Sequence, residues 1–252
     1  MTIEVTVADG IGRVRMSNPP LNILTRDVMA ALRCELESLQ GDRSLRVLLL
    51  SSEGKHFSAG ADVGEHMPPH YQEMIPEFLD TVAAIDAFPV PVIAPVQGRC
   101  LGGGFELIQA VDLVIAGEGA KFGQPEIMLG VIPPAAVALL PSICSRGVAS
   151  EIVFTGDPLS AAQAAAAGIV WQVVPDERLN DYALEVANRI ARHSGAALRI
   201  AKRTLRAATA VTRTAAMSAA GKVYVEDLMA TEDAVEGLSS FLEKRQPEWQ
   251  HR

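Results

Sequence analysis

Two glutamates stand where a charged carboxylate is costly to keep. Glu106 lies two residues beyond Gly102, Gly103 and Gly104 in CLGGGFELIQA, on the first turn of an otherwise apolar predicted helix. Glu126 follows Pro125 in GQPEIMLGVIPP, just ahead of the apolar run IMLGVI. Apolar surroundings raise a carboxyl pKa, so two acids in unlike settings can divide labour: one holds and activates water while the other gives a proton. That division suits the addition of water to an activated carbon-carbon double bond. The three glycines leave N–H groups uncovered at a helix start, where the helix's positive end helps to stabilise an oxyanion. GKHFSAGAD, Gly54 to Asp62, offers a second set of accessible N–H groups after a strand. A thioester carbonyl seated near Ala61 and Gly103 would receive the negative charge that arrives as water adds to the β-carbon. Each motif alone has a plainer use: glycines for tight helix packing, a strand-ending turn, an acid on a helix dipole.

Competing chemistries lack their signatures. Leu107 stands where a dinucleotide GxGxxG needs its third glycine, and no acid closes the following strand. His56, His66, His70, His193 and His251 show neither HxxxH nor HExxH spacing, and Cys34, Cys100 and Cys144 form no CxxC pair, so no metal is expected. Ser58 and Ser142 lack the GxSxG elbow of a serine hydrolase. Arg199, Lys202, Arg203 and Arg206 recur at helical spacing and read as a solvated helix face rather than a phosphate site.

The elements that must position these residues read as α/β. IEVTV and IGRVRM form a predicted hairpin, and a helix from an N-cap at Thr25 carries Val28, Leu32, Leu36 and Leu39 to a stop near Gly41. Strand and helix then alternate through LRVLLLSS, VPVIAPVQG, GGGFELIQAV and DLVIAGEG, the pattern of a mostly parallel sheet. Between them, Pro68, Pro69 and Pro76 predict a loop and a broken helix that could cover a site. After Pro175 the texture turns Ala-rich and helical. The expected division is a core over 1–195 and a helical region over 196–252, whose apolar faces an oligomer would bury. The formal charge of −8 argues against nucleic acid and anionic lipid as partners. With no secretory N-terminus and no apolar stretch of about 18 residues, a cytoplasmic location is expected.

Taken together, PPLNIL, GKHFSAGAD, CLGGGFELIQAVDLVIAG, KFGQPEIMLGVIP and FLEKRQPEW resemble, in order and spacing, the crotonase or enoyl-CoA hydratase/isomerase family. The resemblance runs over nearly the whole chain. It implies a crotonase-like core of repeated ββα units with a helical C-terminal region, assembled as a homotrimer or homohexamer. It implies an acyl-CoA substrate, coenzyme A entering only as part of the thioester, and no permanently bound cofactor. The oxyanion hole carries over to the N–H groups of Ala61 and Gly103, and the catalytic acids to Glu106 and Glu126. Substrate or coenzyme A contacts carry over to Leu21, Asn22, Lys55, Ser58, Ala59, Gly60 and Asp62. Others carry over to Leu101, Gly102, Pro125 and Leu129, with Phe241 and Lys244 in a stretch that often completes a neighbour's site.

One departure bears on the acyl group. Hydratases of straight-chain substrates usually have a GAGGTQRL-like stretch after the second glutamate, whereas this chain reads PPAAVALLP, Pro133 to Pro141. Pro134, Ala136 and Val137 fill space near the proton donor. With EHMP and VEDLMATEDAVEGLSSFLEKRQPEW, the segment resembles a narrower branch, the cyclohexa-1,5-diene-1-carbonyl-CoA hydratases of anaerobic benzoyl-CoA breakdown. The alternatives are a general enoyl-CoA hydratase/isomerase of fatty-acid β-oxidation and a non-catalytic CoA- or RNA-binding homologue. Retention of both glutamates and the acidic balance weigh against the last.

Overall fold

The computed structural model describes residues 1–193, 195–209, 222–230 and 232–248. Its larger sheet has six strands, β1 (Thr2–Ala8), β2 (Ile11–Ser17), β3 (Val47–Ser52), β4 (Val92–Val96), β6 (Leu113–Gly117) and β9 (Gln172–Val174), adjacent in that order. β1 and β2 form the expected antiparallel hairpin, and every other neighbouring pair runs parallel. The hairpin turns on Asp9 and Gly10, both at positive φ, which matches the right-handed twist of its strands. Successive side chains of a strand face opposite sides. Leu48 and Leu50 therefore enter one core with α1 (Arg26–Gln40) and α2 (Tyr71–Asp86), while Val47 and Leu49 enter a second core with α7 (Leu179–Ala191).

The smaller sheet positions the site. β5 (Arg99–Leu101) and β7 (Lys121–Gly123) run parallel in register, with Leu101 opposite Gly123, and β8 (Leu159–Ser160) pairs antiparallel to β7. α3 (Gly103–Gln109) leaves β5 directly and a 3-10 turn (Pro125–Leu129) leaves β7 directly. Residues distant in sequence, Glu106 and Glu126, are thereby launched from neighbouring strand ends. α4 (Ala136–Ile143), α5 (Arg146–Thr155) and α6 (Ala161–Ala166) follow.

Two expectations change. The helix across Pro76 is continuous over Tyr71–Asp86 rather than broken. A proline there removes one backbone bond, and the buried face formed by Met74, Ile75, Phe78, Leu79, Val82 and Ile85 outweighs that loss. In the basic run on α8 (Gly195–Thr209), Arg203 is exposed as expected, but Arg199, Lys202 and Arg206 do not form a solvated face. Lys202, 5% exposed, pairs with Asp112 at 2.6 Å and donates to the Val90 carbonyl. Arg206 pairs with Asp86, and Arg199 donates to the carbonyls of Asp42 and Leu45. These basic side chains fasten the helix to the core. Asp112→Asn should leave the Lys202 ammonium poorly compensated and cost about 2–3 kcal/mol in urea unfolding, below the roughly 3–5 of a fully buried pair because Asp112 is partly exposed.

Beyond residue 209 the described elements are a π-helical turn (Val223–Asp227), a 3-10 turn (Leu228–Ala230) and α9 (Glu232–Leu242). The 210–221 part of the expected helical tail, Trp249 and His251 lie outside the described residues. α9 lies against the 3-10 turn that carries Glu126, so closely that a Cβ on Gly237 would overlap the Leu129 carbonyl. No helix among the described residues is long and apolar enough to cross a membrane.

Candidate active site

The turn over Gly54–Asp62 lies alongside β5: Ser58 N donates to Arg99 O at 3.1 Å and Leu101 N to Ser58 O at 3.0 Å. That pairing brings Ala61 against the start of α3. A Cβ built on Gly103 would lie 3.3 Å from the Ala61 nitrogen, so the two N–H groups share one small space. Among the described residues, no intramolecular acceptor engages either N–H group. Gly60 and Gly102, at φ +117° and +51°, supply the backbone conformations that this approach requires.

Glu106 is 2% exposed and its Oε1 accepts from the N–H groups of Ala135 (2.7 Å) and Ala136 (2.9 Å), at the start of α4. Burial pushes its pKa up to about 7 against the pull of those two bonds. Glu126 is raised well above the ordinary carboxylate range, first by burial and then by repulsion from Glu106. Two carboxylates this close cannot both ionise readily, so Glu106 gives up its proton first and Glu126 keeps its own. The pair is thus ordered, Glu106 being the readier base and Glu126 the readier acid. With the Gln124 amide turned so that its nitrogen faces the carboxyl, this buried side chain donates to Glu126 Oε2 (3.1 Å) and accepts from Gln109 Nε2 (3.0 Å), which steadies the acid.

Both carboxyls open on a cavity of about 520 Å³. Ala61, Gly103, Glu106 and Glu126 line it, as do Ala59, Gly60, Leu101, Gly102, Pro125, Leu129 and Phe241. Leu21, Asn22, Lys55, Ser58, Asp62 and Lys244 do not line it. Asn22 donates to the carbonyls of Glu53 and His56, while Ser58 Oγ donates to Asn22 O and accepts from Gly60 N, so both brace the glycine turn from behind. Leu21 O accepts from Ala59 N, and Asp62 Oδ1 from Glu65 N. Lys55 and Lys244 are exposed. Phe241 lies on the wall of its own chain's cavity, because α9 folds back over the Glu126 turn.

Sequence reasoning missed Gln109, Gln124 and the N–H groups of Ala135 and Ala136. The amides had a signal, being the polar residues at i+3 from Glu106 on one helix and two before Glu126. The N–H groups had none, since only the fold brings α4 to α3.

The Enoyl-CoA hydratase/isomerase family model matches residues 6–252. A cyclohexa-1,5-dienecarbonyl-CoA hydratase from Thauera aromatica is 39% identical over 242 residues, covering 95% of this chain and 93% of that protein. A 2,3-dehydroadipyl-CoA hydratase from Escherichia coli (strain K12) is 37% identical, covering 92% of this chain and 91% of that protein. Among solved structures, an enoyl-CoA hydratase/isomerase from Pseudoalteromonas atlantica T6c superposes with a TM-score of 0.90 at 28% identity, covering 99% of this chain and 100% of that one.

Proposed function

Because the chain belongs to the enoyl-CoA hydratase/isomerase family, a hydratase-type lyase acting on acyl-CoA, we propose that its substrate is a cyclic conjugated dienoyl-CoA, cyclohexa-1,5-diene-1-carbonyl-CoA. The thioester oxygen accepts from the N–H groups of Ala61 and Gly103. Glu106 takes a proton from water as its oxygen bonds to the β-carbon. The π electrons shift along the diene, and the distal alkene carbon takes the proton from Glu126, which gives 6-hydroxycyclohex-1-ene-1-carbonyl-CoA. The added atoms sum to one water, and no redox partner is required.

The observation that carries this reading is the wall built by the departing segment after Glu126. Val131, Ile132 and Pro134 line the cavity together with Met74, Ile75 and Phe78, an apolar lining suited to a ring. Pro134 directly precedes Ala135 and Ala136, whose N–H groups hold Glu106, so the shape of that wall and the aim of the base are linked. The Thauera aromatica relative supports the same reading.

We further propose that residues 1–195 hold the catalytic core, that the helical region after them closes the cavity and joins subunits, and that the enzyme works in the cytoplasm. Phe154 and Leu205, 72% and 71% exposed, support a trimer or a dimer of trimers. The substrate is tested by measuring kcat/KM for the cyclic dienoyl-CoA beside crotonyl-CoA and 2,3-dehydroadipyl-CoA. The expected result is a preference of at least about tenfold for the ring. A higher kcat/KM with either linear thioester would refute it.

A further inference from the structure

Gln109 is buried on α3, and among the described residues its Oε1 has no hydrogen-bond partner. A buried amide with an orphaned oxygen is costly and uncommon in a native chain. Against that cost stands one hydrogen bond, from Gln109 Nε2 to the Gln124 oxygen at 3.0 Å. Gln124 is fully buried in turn and joins β7 to the 3-10 turn that carries Glu126. The two ends of its amide are unlike, so its orientation matters. With the nitrogen inward it lies 3.1 Å from Glu126 Oε2, 3.2 Å from Oε1 and 3.3 Å from the Gly102 carbonyl. Turned over, its oxygen would meet those acceptors and its nitrogen would meet the Gln109 nitrogen. Donors and acceptors match only in the first orientation. The Gly102 carbonyl cannot donate in any state of Glu126, so it always favours the nitrogen, and Gln109 gives the opposite end of the amide its donor.

We propose that Gln109 is a positioning residue for the proton donor: by donating to the Gln124 oxygen it keeps the Gln124 N–H groups turned to Glu126, where they stabilise the carboxylate left when Glu126 gives its proton to the substrate. That carboxylate forms in a buried place, where a charge needs a donor. In dehydration the same N–H groups hold the carboxylate that takes the proton back. α3 thus carries the base, Glu106, and, three residues on, the side chain that sets the acid. The proposal rests on the reading that Glu126 is the acid of hydration.

Gln109→Met keeps an unbranched side chain of similar length and removes the donor. The expected result is a hydration kcat lowered by about three- to tenfold, with KM within about twofold of wild type because neither glutamine lines the cavity. The alkaline limb of kcat should move up by about half to one pH unit, since a carboxylate with a loosened donor holds its proton more tightly. Glu106 and Tyr224 are the titratable groups that interact with Glu126, and burial keeps Tyr224 protonated, so that limb reports Glu126. The acid limb, which reports Glu106, should stay in place. Wild-type kcat with both limbs unmoved would overturn the proposal. So would a lower kcat with an unmoved alkaline limb and a lower melting temperature, the mark of a packing role. Neutron diffraction from wild-type crystals checks the orientation without any variant: the Gln124 nitrogen should carry its deuterium atoms toward Glu126, and finding them toward Gln109 would overturn the proposal. Activity surviving in Glu126→Gln would instead remove the reading of Glu126 as the acid.

Discussion

Glu106→Gln is expected to lower kcat by about 10²- to 10⁴-fold while leaving the fold intact. The amide oxygen can still accept from Ala135 and Ala136, so the helix start and the apolar wall stay in place. What disappears is the base. Glu126→Gln should cost a similar factor by removing the proton donor, and activity surviving in either variant would refute the two-acid mechanism. The pH profile follows from the same pair. Activity should rise as Glu106 ionises near pH 7 and fall at higher pH as Glu126 loses its proton.

Stability runs the other way. The folded pKa of Glu106 is raised above its unfolded value, so its stabilising contribution is complete below the unfolded value and is lost as pH rises through about 7. Glutamine carries no charge to bury. Thermal melts at pH 8 should therefore find Glu106→Gln at least as stable as the active enzyme, and a clear loss of stability would contradict the burial argument.

Gly102→Ala is expected to lower kcat by about 10²-fold or more through displacement of Glu126, since a misplacement of about 1 Å near the reacting atoms can cost that much. A Cβ at this position would stand 2.8 Å from Glu126 Oε1, and the backbone, at φ +51° and ψ −130°, resists any residue with a side chain. The strain should also lower stability by about 1–3 kcal/mol. Gly41→Ala is the control, because its Cβ would meet nothing within 4 Å. Steady-state kinetics on the two variants check this: unchanged kcat in Gly102→Ala would mean that the carboxyl is not held where the structure has it.

The alternation of strand and helix, the Thr25 cap and the stripe from Val28 to Leu39 were legible because each depends on neighbours a few residues away. The acids and the glycine turns were legible for a related reason: a carboxyl beside an apolar run, or glycines at a helix start, is unusual chemistry written in consecutive residues. The α8 basic run misled because Lys202 and Arg206 find their partners, Asp112 and Asp86, about 90 and 120 residues away. Pro76 misled because local propensity was outweighed by a buried helix face.

By itself, then, the sequence determined which groups are available for the chemistry: two carboxyls, two glycine turns and a changed segment after Glu126. Only the tertiary structure decided how they act on one another. The register of β5 against β7 sets the two carboxyls close enough to split their proton affinities. The arrival of α4 turns two ordinary N–H groups into the holder of the base. Electrostatic coupling depends on distance through space and on the exclusion of water, and neither is fixed by separation along the chain.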